Sequence, residues 1–472
     1  MTICAKNFLE GFSCPVFTAA RDFRIYVTSF KRNAYRKQDA MPHQQEQPLH
    51  DRPEPTARPR LSLVGGSLSF LKRQKQDWIV TVVRTSLDKL AYQMVFPYLS
   101  VYIVALGATG TQLGLVNSLA MIVAGIPALF VGWLIDQKGP KKIYLAGIAL
   151  LAVSYLTYGL AQNLVTALVA MITYWIGTST SGQSCSTICG NCLVNQDRAT
   201  GMMICETVAA GLLGMAGPML AAWIVSLFGG VHADGIRPLF FVGLAVTAVT
   251  FVVVKTRLSD RRWCRSVSQP HLIRDIAEIL KGRRHLKKWL IIASITQLPL
   301  GMVFPFTQAF AHSVKGAQEF VLGAMVTGSA LSSILLSIPI GRMADVIGRK
   351  KILYGVIPLF WMSNLVLIWA PSPVFLIVAG ILQGFYFIGA PIAASIEREL
   401  VPSEHMGRWL GTTRFCKMTL SGCLALASGV IWDRVGPQYI FISFVAIDLL
   451  IRMPLLIGMP ETLHARFKPP GN

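Results

Sequence analysis

The sequence predicts an all-α membrane protein with twelve transmembrane helices in two pseudo-symmetric six-helix bundles. Three observations lead there. Over 472 residues the chain is 53% hydrophobic and 14% charged, with mean hydropathy +0.52, too apolar for a water-soluble chain of this size. Its apolar residues fall into successive runs, each near the roughly 20 residues that a span requires. One eleven-residue stretch is also written twice. Gly132-Trp-Leu-Ile-Asp136-Gln-Lys138-Gly139-Pro-Lys141-Lys142 returns as Gly341-Arg-Met-Ala-Asp345-Val-Ile-Gly348-Arg349-Lys350-Lys351, with 341 − 132 = 345 − 136 = 348 − 139 = 209.

Each copy lies between two apolar runs, so each reads as a tight charged hairpin joining two membrane helices. The first Gly lets helices approach closely, and the Gly after the Asp tolerates turn conformations that other residues resist. The basic residues that follow hold the loop on the cytoplasmic side. An Asp at the lip of the membrane can face the free N–H groups of a neighbouring helix N-terminus, where the helix dipole favours an anion.

These paired loops resemble the cytoplasmic signature between helices 2 and 3, and again between helices 8 and 9, of the major facilitator superfamily of transporters. The resemblance covers roughly residues 78 to 460. It implies a twelve-helix secondary transporter with no cofactor.

Taken in order, residues 1–77 are mixed in charge and broken by prolines, especially from His43 to Arg60, and read as a disordered cytoplasmic tail. The first long apolar run begins near Trp78, so no cleavable signal peptide is visible, and a start at Met41 would shorten the tail. Arg21, Arg24, Lys31 and Arg32 form a candidate targeting or lipid-surface patch. Residues 78–254 form the first bundle, with helices expected at 78–106, 112–135, 140–161, 164–189, 201–228 and 238–254.

Residues 255–288 are a basic cytoplasmic linker, in which Leu272, Ile273, Ile276, Ile279 and Leu280 fall at helical spacing. An amphipathic surface helix and a plain solvated helix fit equally. Residues 289–460 form the second bundle, with helices at 289–311, 320–344, 350–370, 374–396, 409–432 and 437–459, and residues 461–472 a cytoplasmic C-terminal tail. The connections on the other side, such as Gly107–Thr111 and Pro371–Pro373, are short and nearly neutral. That asymmetry sets both termini inside, in a plasma or inner membrane.

The net charge of +21 is spread between the apolar runs and in the tail, so topology explains it and nucleic acid is not a partner. The nine cysteines carry no disulfide framework; most lie in helices or at their ends. Cys185, Cys189 and Cys192 lack a nearby His, and no metal site is expected. The halves echo each other elsewhere: Met94-Val-Phe-Pro97-Tyr returns as Met302-Val-Phe-Pro305-Phe, 302 − 94 = 208, and Leu113-Gly114 as Leu322-Gly323, 322 − 113 = 209. Such a repeat puts the binding site between the halves near mid-membrane and lets one half rock on the other.

Charged residues inside spans are costly and mark candidate sites. Helix 1 carries Arg84, Asp88 and Lys89, followed by Tyr92 and Gln93. Arg84 and Asp88 are four apart and share a face. Asp88 lies about 15 Å along the helix from Trp78 at about 1.5 Å per residue, near mid-bilayer, where a low dielectric disfavours the charged carboxylate. Two readings stand: Asp88 carries a proton with Arg84 or Lys89 as switching partner, or the pair is permanent and fixes packing. The run from Asp88 to Pro97-Tyr98-Leu99 resembles helix 1 of proton-coupled drug exporters in the superfamily. Glu206 in helix 5 is a further proton-coupling candidate.

Gly214-Met-Ala-Gly217-Pro218-Met-Leu-Ala221-Ala222 is similar to the superfamily's antiporter kink motif but departs from it at Leu213 and Ala221-Ala222. The helix 4 Arg common in drug antiporters is missing, Thr173 standing four residues before Gly177. Helix 4 instead offers a hydroxyl-rich stripe including Tyr174 and Thr178, which either lines a cavity or packs helices. Gln93, Gln297, Gln308, Gln383, Tyr92 and Tyr386 complete the cavity candidates, with Phe304, Phe306, Phe385 and Phe387 able to stack on a lipophilic solute. Arg414 and Glu206 fall at similar depths on pseudo-equivalent helices and read as an inner gate, with Asp136 capping helix 11 near Arg408–Gly411 and Asp345 capping helix 5 near Arg198–Gly201.

The expected activity is secondary transport of a small organic solute, coupled to protons, by a monomer in the bilayer. Export of a lipophilic compound leads, and proton-coupled uptake of an organic anion follows. The alternative from another class is a transporter-like receptor or scaffold that moves nothing. No phosphate-binding G-x-x-x-x-G-K-[ST] loop, Ser-His-Asp set or HExxH is present, so neither ATP hydrolysis nor an enzyme is expected.

Overall fold

The computed structural model describes residues 76–192, 210–259, 284–400, 406–459 and 461. The expected N-terminal tail, apart from Gln76 and Asp77, and the surface helix around 272–280 lie outside the described residues. The six helices of the first bundle are α1 Gln76–Ala105, α2 Gly110–Lys138, α3 Pro140–Gly159, α4 Leu164–Cys192, α5 Ala210–Leu227 and α6 Ala233–Arg257. In the second, α7 runs as three segments, Arg284–Thr296, Leu298–Met302 and Phe304–Ser313, followed by α8 Glu319–Ile347, α9 Arg349–Trp369, α10 Pro373–Leu400 and α11 Met406–Arg434. The last span, α12, joins Gln438–Ile447 and Met453–Ile457 through a π turn at Asp448–Arg452.

Ten spans among the described residues are long and apolar enough to cross a membrane. The two helices outside that set have simple reasons. α1 carries Arg84, Asp88 and Lys89, and α5 is described only from Ala210, its apolar stretch being Leu213–Leu227. Large apolar side chains such as Val165, Trp369 and Leu450, each about 70% exposed (69%, 69% and 71%), point outward, as lipid-facing residues of spanning helices do. The chain is a multi-pass membrane protein.

The ends differ from expectation. α1 is described from Gln76, and its Asp77 carboxylate accepts the Ser259 N–H (2.8 Å) and Oγ–H (2.5 Å) at the end of α6. α6 runs to Arg257, past its expected end at 254, and α7 is described from Arg284, ahead of its expected start at 289. α7 breaks at Gln297 and Val303, flanking Pro299 and Pro305, neither of which can donate a backbone hydrogen bond. At the first break the carbonyl of Gln297 accepts both the Leu300 N–H and the Ser421 hydroxyl, each at 3.0 Å. Gly301 lies so close to α11 that a Cβ there would fall 2.1 Å from the Ser421 oxygen.

The two bundles are built alike. In both, the turn of the duplicated stretch is one glycine between two helices: Gly139 at φ +86° and Gly348 at φ +122°, backbone that favours glycine. Lys141 and Lys350 are related by the 209 shift, and both tie the turn to the sixth helix of their own bundle. Lys141 Nζ donates to the Leu258 carbonyl (2.6 Å), and Lys350 Nζ to those of Ile457 (2.8 Å) and Met459 (2.5 Å). A cation at a helix C-terminus also meets the negative end of the dipole. The same register links third and fourth helices: Ser154 Oγ donates to the Ala170 carbonyl (2.7 Å) and Ser363 Oγ to that of Ala379 (2.8 Å).

The bundles meet along two seams, α2 with α11 and α5 with α8, the pairing a two-fold relation requires. One apolar core runs through both, from Tyr98 and Tyr102 in α1 to Phe306 and Phe310 in α7 and Phe441 in α12.

Candidate functional site

The face bearing the duplicated turns is here termed the loop face, and the opposite one the far face. Among the described residues, the hydrogen bonds between bundles lie in the far half or near the membrane centre. The Asp433 carboxylate, at the end of α11, accepts the N–H groups of Gly110 (2.9 Å) and Thr111 (2.7 Å) at the start of α2. Tyr98 Oη donates to the Glu319 carbonyl at the start of α8 (2.9 Å), and Thr327 Oγ1 to Met215 (3.4 Å). Small residues close the same seams. A Cβ on Gly114 would meet the Ala425 oxygen at 2.5 Å, and one on Gly323 the Pro218 oxygen at 2.9 Å.

Toward the loop face the fit loosens. A Cβ on Gly341 or Gly411 would meet nothing within 4 Å. Among the described residues, nothing packs against Gly341 at this face. The side chains of Trp133, Asp136, Asp345 and Arg408, together with all of Glu206 and of residues 198–201, lie outside the described residues.

Between the seal and the loop face lies a cavity of about 310 Å³. Its first-bundle wall is Lys89, Tyr92, Gln93, Phe96 and Pro97 of α1 with Gly211 of α5. The opposite wall comes from α7 (Phe304, Thr307, Gln308), α8 (Ser329, Ser333, Ser337 and apolar neighbours) and α10 (Gln383, Phe387). Proline-bearing helices α1 and α7 thus present the two copies of the Met-Val-Phe-Pro repeat to one space. Of the cavity candidates, Tyr92, Gln93, Gln308 and Gln383 line it. Gln383 Nε2 reaches Thr307 Oγ1 at 3.4 Å.

Four candidates lie elsewhere. Tyr174 is 4% exposed inside the first bundle, edge-on to Tyr155 and Trp175, and Thr178 follows on the same helix outside the lining. Tyr386 turns into the second bundle, where it packs on Phe304 and Phe360 and borders a smaller pocket with Trp289 and Arg452. The Gln297 backbone serves the break in α7, and its side chain does not line the cavity. Phe306 is fully buried against Trp432.

The charged group of α1 divides between two environments. Arg84 is 3% exposed, its guanidinium 4.8 Å from the centre of the Tyr144 ring, and it pairs with Asp88 at 3.5 Å. Asp88 is a third exposed on its side chain (33%). Lys89, one residue on, points the other way into the cavity, with Nζ 5.3 Å from the Tyr92 ring centre. Arg414 is half-buried on α11 and does not line the cavity.

Two further polar clusters lie away from the cavity. Buried Glu397 accepts Trp409 Nε1 (2.6 Å) and lies 4.0 Å from Lys417, linking α10 to α11. Asp448 is fully buried, pairs with Arg452 at 2.5 Å and accepts Trp361 Nε1 at 2.6 Å. The spacing of Asp448 and Arg452 was legible; their joint burial beside Trp361 was not. Asp433 left no signal beyond an acid near a helix end.

Comparison with known proteins agrees with this architecture. A family model described as Major Facilitator Superfamily matches residues 85–318 and 289–470. Two curated relatives are multidrug resistance proteins MdtG. That of Salmonella choleraesuis (strain SC-B67) is 24% identical over 59% of this chain and 69% of its own length, and that of Enterobacter lignolyticus (strain SCF1) is 25% identical over 59% and 67%. Among solved structures, the nucleoside transporter NupG superposes with TM-score 0.62 at 16% identity, over 81% of this chain and 99% of its own. A D-xylose-proton symporter does so with TM-score 0.65 at 13% identity, over 82% and 98%, and the human organic anion transporter MFSD10 with 0.59 at 16%, over 81% and 99%. These likenesses concern the fold. With the duplicated turns, the paired seams and a family match over most of the chain, this protein belongs to the major facilitator superfamily of transporters.

Proposed function

We propose that the protein exports a small, largely apolar organic solute in exchange for protons, by alternating access of its two bundles. The observation that carries this reading is the cavity walled by both bundles and closed toward the far face. A site shared by two rigid halves can face only one side at a time, so tilting one against the other moves its contents across. The similarity to drug-resistance relatives supports the outward direction.

In this reading the loop face is cytoplasmic, since Lys and Arg gather there, both termini lie inside, and the conformation described faces inward. The protein acts as a monomer in the plasma or inner membrane. Asp88 carries the proton, and its neutralisation releases Arg84; Glu206 is a second candidate. When the far face opens, Asp136 caps α11 near Arg408–Gly411 and Asp345 caps α5 near Arg198–Gly201, and the loop-face turns act as the latch. The test is transport into liposomes by the purified full chain under an imposed pH gradient. Asp88→Asn should retain solute binding and lose the pH-gradient dependence; retained dependence removes Asp88 from the mechanism.

A further inference from the structure

We infer that the solute carried in the central cavity is an aromatic organic anion, its acidic group received by Lys89 and its ring held between aromatic walls from the two bundles. This rests on the transport reading for its purpose but not for its geometry. Three observations support it independently of any relative.

Lys89 is the sole charged side chain among the residues lining the cavity, and it makes no ion pair among the described residues. It lies deep. At least 13 helical residues precede it (89 − 76) and 16 follow it (105 − 89), which at about 1.5 Å per residue is roughly 20 and 24 Å of helix. Its side chain is exposed to the cavity, whose lining among the described residues holds no acid, so an anionic solute entering there meets an uncompensated positive charge. The adjacent acid in the chain, Asp88, pairs instead with Arg84 at 3.5 Å. The only contact recorded for the Lys89 ammonium is the face of Tyr92, which leaves its remaining donors to the cavity.

Both walls are aromatic. Tyr92 and Phe96 stack on α1, with ring centres 4.8 Å apart and planes 17° apart. Opposite them, Phe304 of α7 and Phe387 of α10 stack at 5.6 Å and 22°. Flat faces from both bundles suit a planar ring bridging the seam, and ring pairs add stabilisation beyond burial alone. Between the walls, the amides of Gln93, Gln308 and Gln383 and the hydroxyl of Thr307 supply neutral hydrogen-bonding groups, which orient a solute without adding charge. The volume, about 310 Å³, falls at the small end of the roughly 300–1,000 Å³ usual for small-molecule sites. One or two fused rings with a single acidic group fit that description.

The test uses three probes with one ring system and different charge: 2-naphthoate, 2-naphthamide and 2-naphthylmethylammonium. Binding to the full chain in lipid nanodiscs is read by ligand-induced thermal stabilisation, and transport separately in liposomes. Naphthoate should bind at least about tenfold more tightly than the amide and more tightly still than the ammonium compound. Lys89→Gln should cut the preference for naphthoate over the amide to below threefold, and Lys89→Arg should keep it. The inference is overturned if the ammonium compound binds as well as naphthoate, if the preference persists in Lys89→Gln, or if none of the three binds. Selective naphthoate binding without transport would uphold this site and refute the transport reading; transport of the ammonium compound in preference to naphthoate would do the reverse.

Discussion

Asp433 holds the far face shut by capping, from the second bundle, a helix of the first. Its two oxygens take the amide protons of Gly110 and Thr111, two of the donors that the start of α2 leaves without intrahelical partners. Replacing it with Ala removes both bonds and an anion at the positive end of the α2 dipole. Loss of an N-cap carboxylate costs about 0.5–2 kcal/mol, and Asp433 lies at an exposed rim where solvent screens it, so about 1 kcal/mol is a fair figure. Because the bonds exist only while the bundles touch at that face, the whole loss falls on the far-closed conformation. One kcal/mol corresponds to about a fivefold shift toward far-open forms, given tenfold per 1.4 kcal/mol. Spin labels on α2 and α11 near the far face, read by pulsed electron-electron resonance in nanodiscs, should show a longer-distance population growing in Asp433→Ala and about half as much in Asp433→Asn, which keeps one acceptor. An unchanged distance distribution in Asp433→Ala, or a shift toward shorter distances, would refute the capping account.

Other expectations concern the bundles themselves. Asp448→Leu leaves Arg452 buried without its acid and should cost about 3–5 kcal/mol, seen as a lower unfolding midpoint in detergent; adding Arg452→Met should recover most of it. Gly348→Ala should destabilise by about 1–3 kcal/mol, because φ +122° strains any side chain and its Cβ would meet Glu461 Oε2 at 2.7 Å, whereas Gly341→Ala, with open space around it, should change the midpoint little.

The sequence made the duplication legible because its markers are polar groups in an apolar background, where each costs free energy and so keeps a fixed place. The break in α7 was foreshadowed by Pro299 and Pro305. What remained hidden was rotation about each helix. Position along a span gives depth at a fixed rise per residue, but in a membrane the lipid-facing and core-facing sides are both apolar, so the pattern that orients a helix in a soluble protein is weak. Tyr92 and Tyr386 looked alike on that basis, yet one lines the cavity and the other packs inside its bundle. The same limit separated Arg84 from Lys89, whose opposite directions emerge only once α3, bearing Tyr144, is placed. Trans contacts such as Asp433 with α2, and Lys141 and Lys350 with the sixth helices, join residues more than a hundred positions apart and leave no local spacing to read.

The central proposition, two bundles rocking about a shared cavity, is tested most directly by measuring two inter-bundle distances in one sample. Label pairs across the α2–α11 seam, one at the far face and one at the loop face, should change in opposite directions when a pH gradient or transported solute is applied, one lengthening as the other shortens. If both distances stay fixed, or lengthen together, the bundles do not alternate and the mechanism proposed for this protein is wrong.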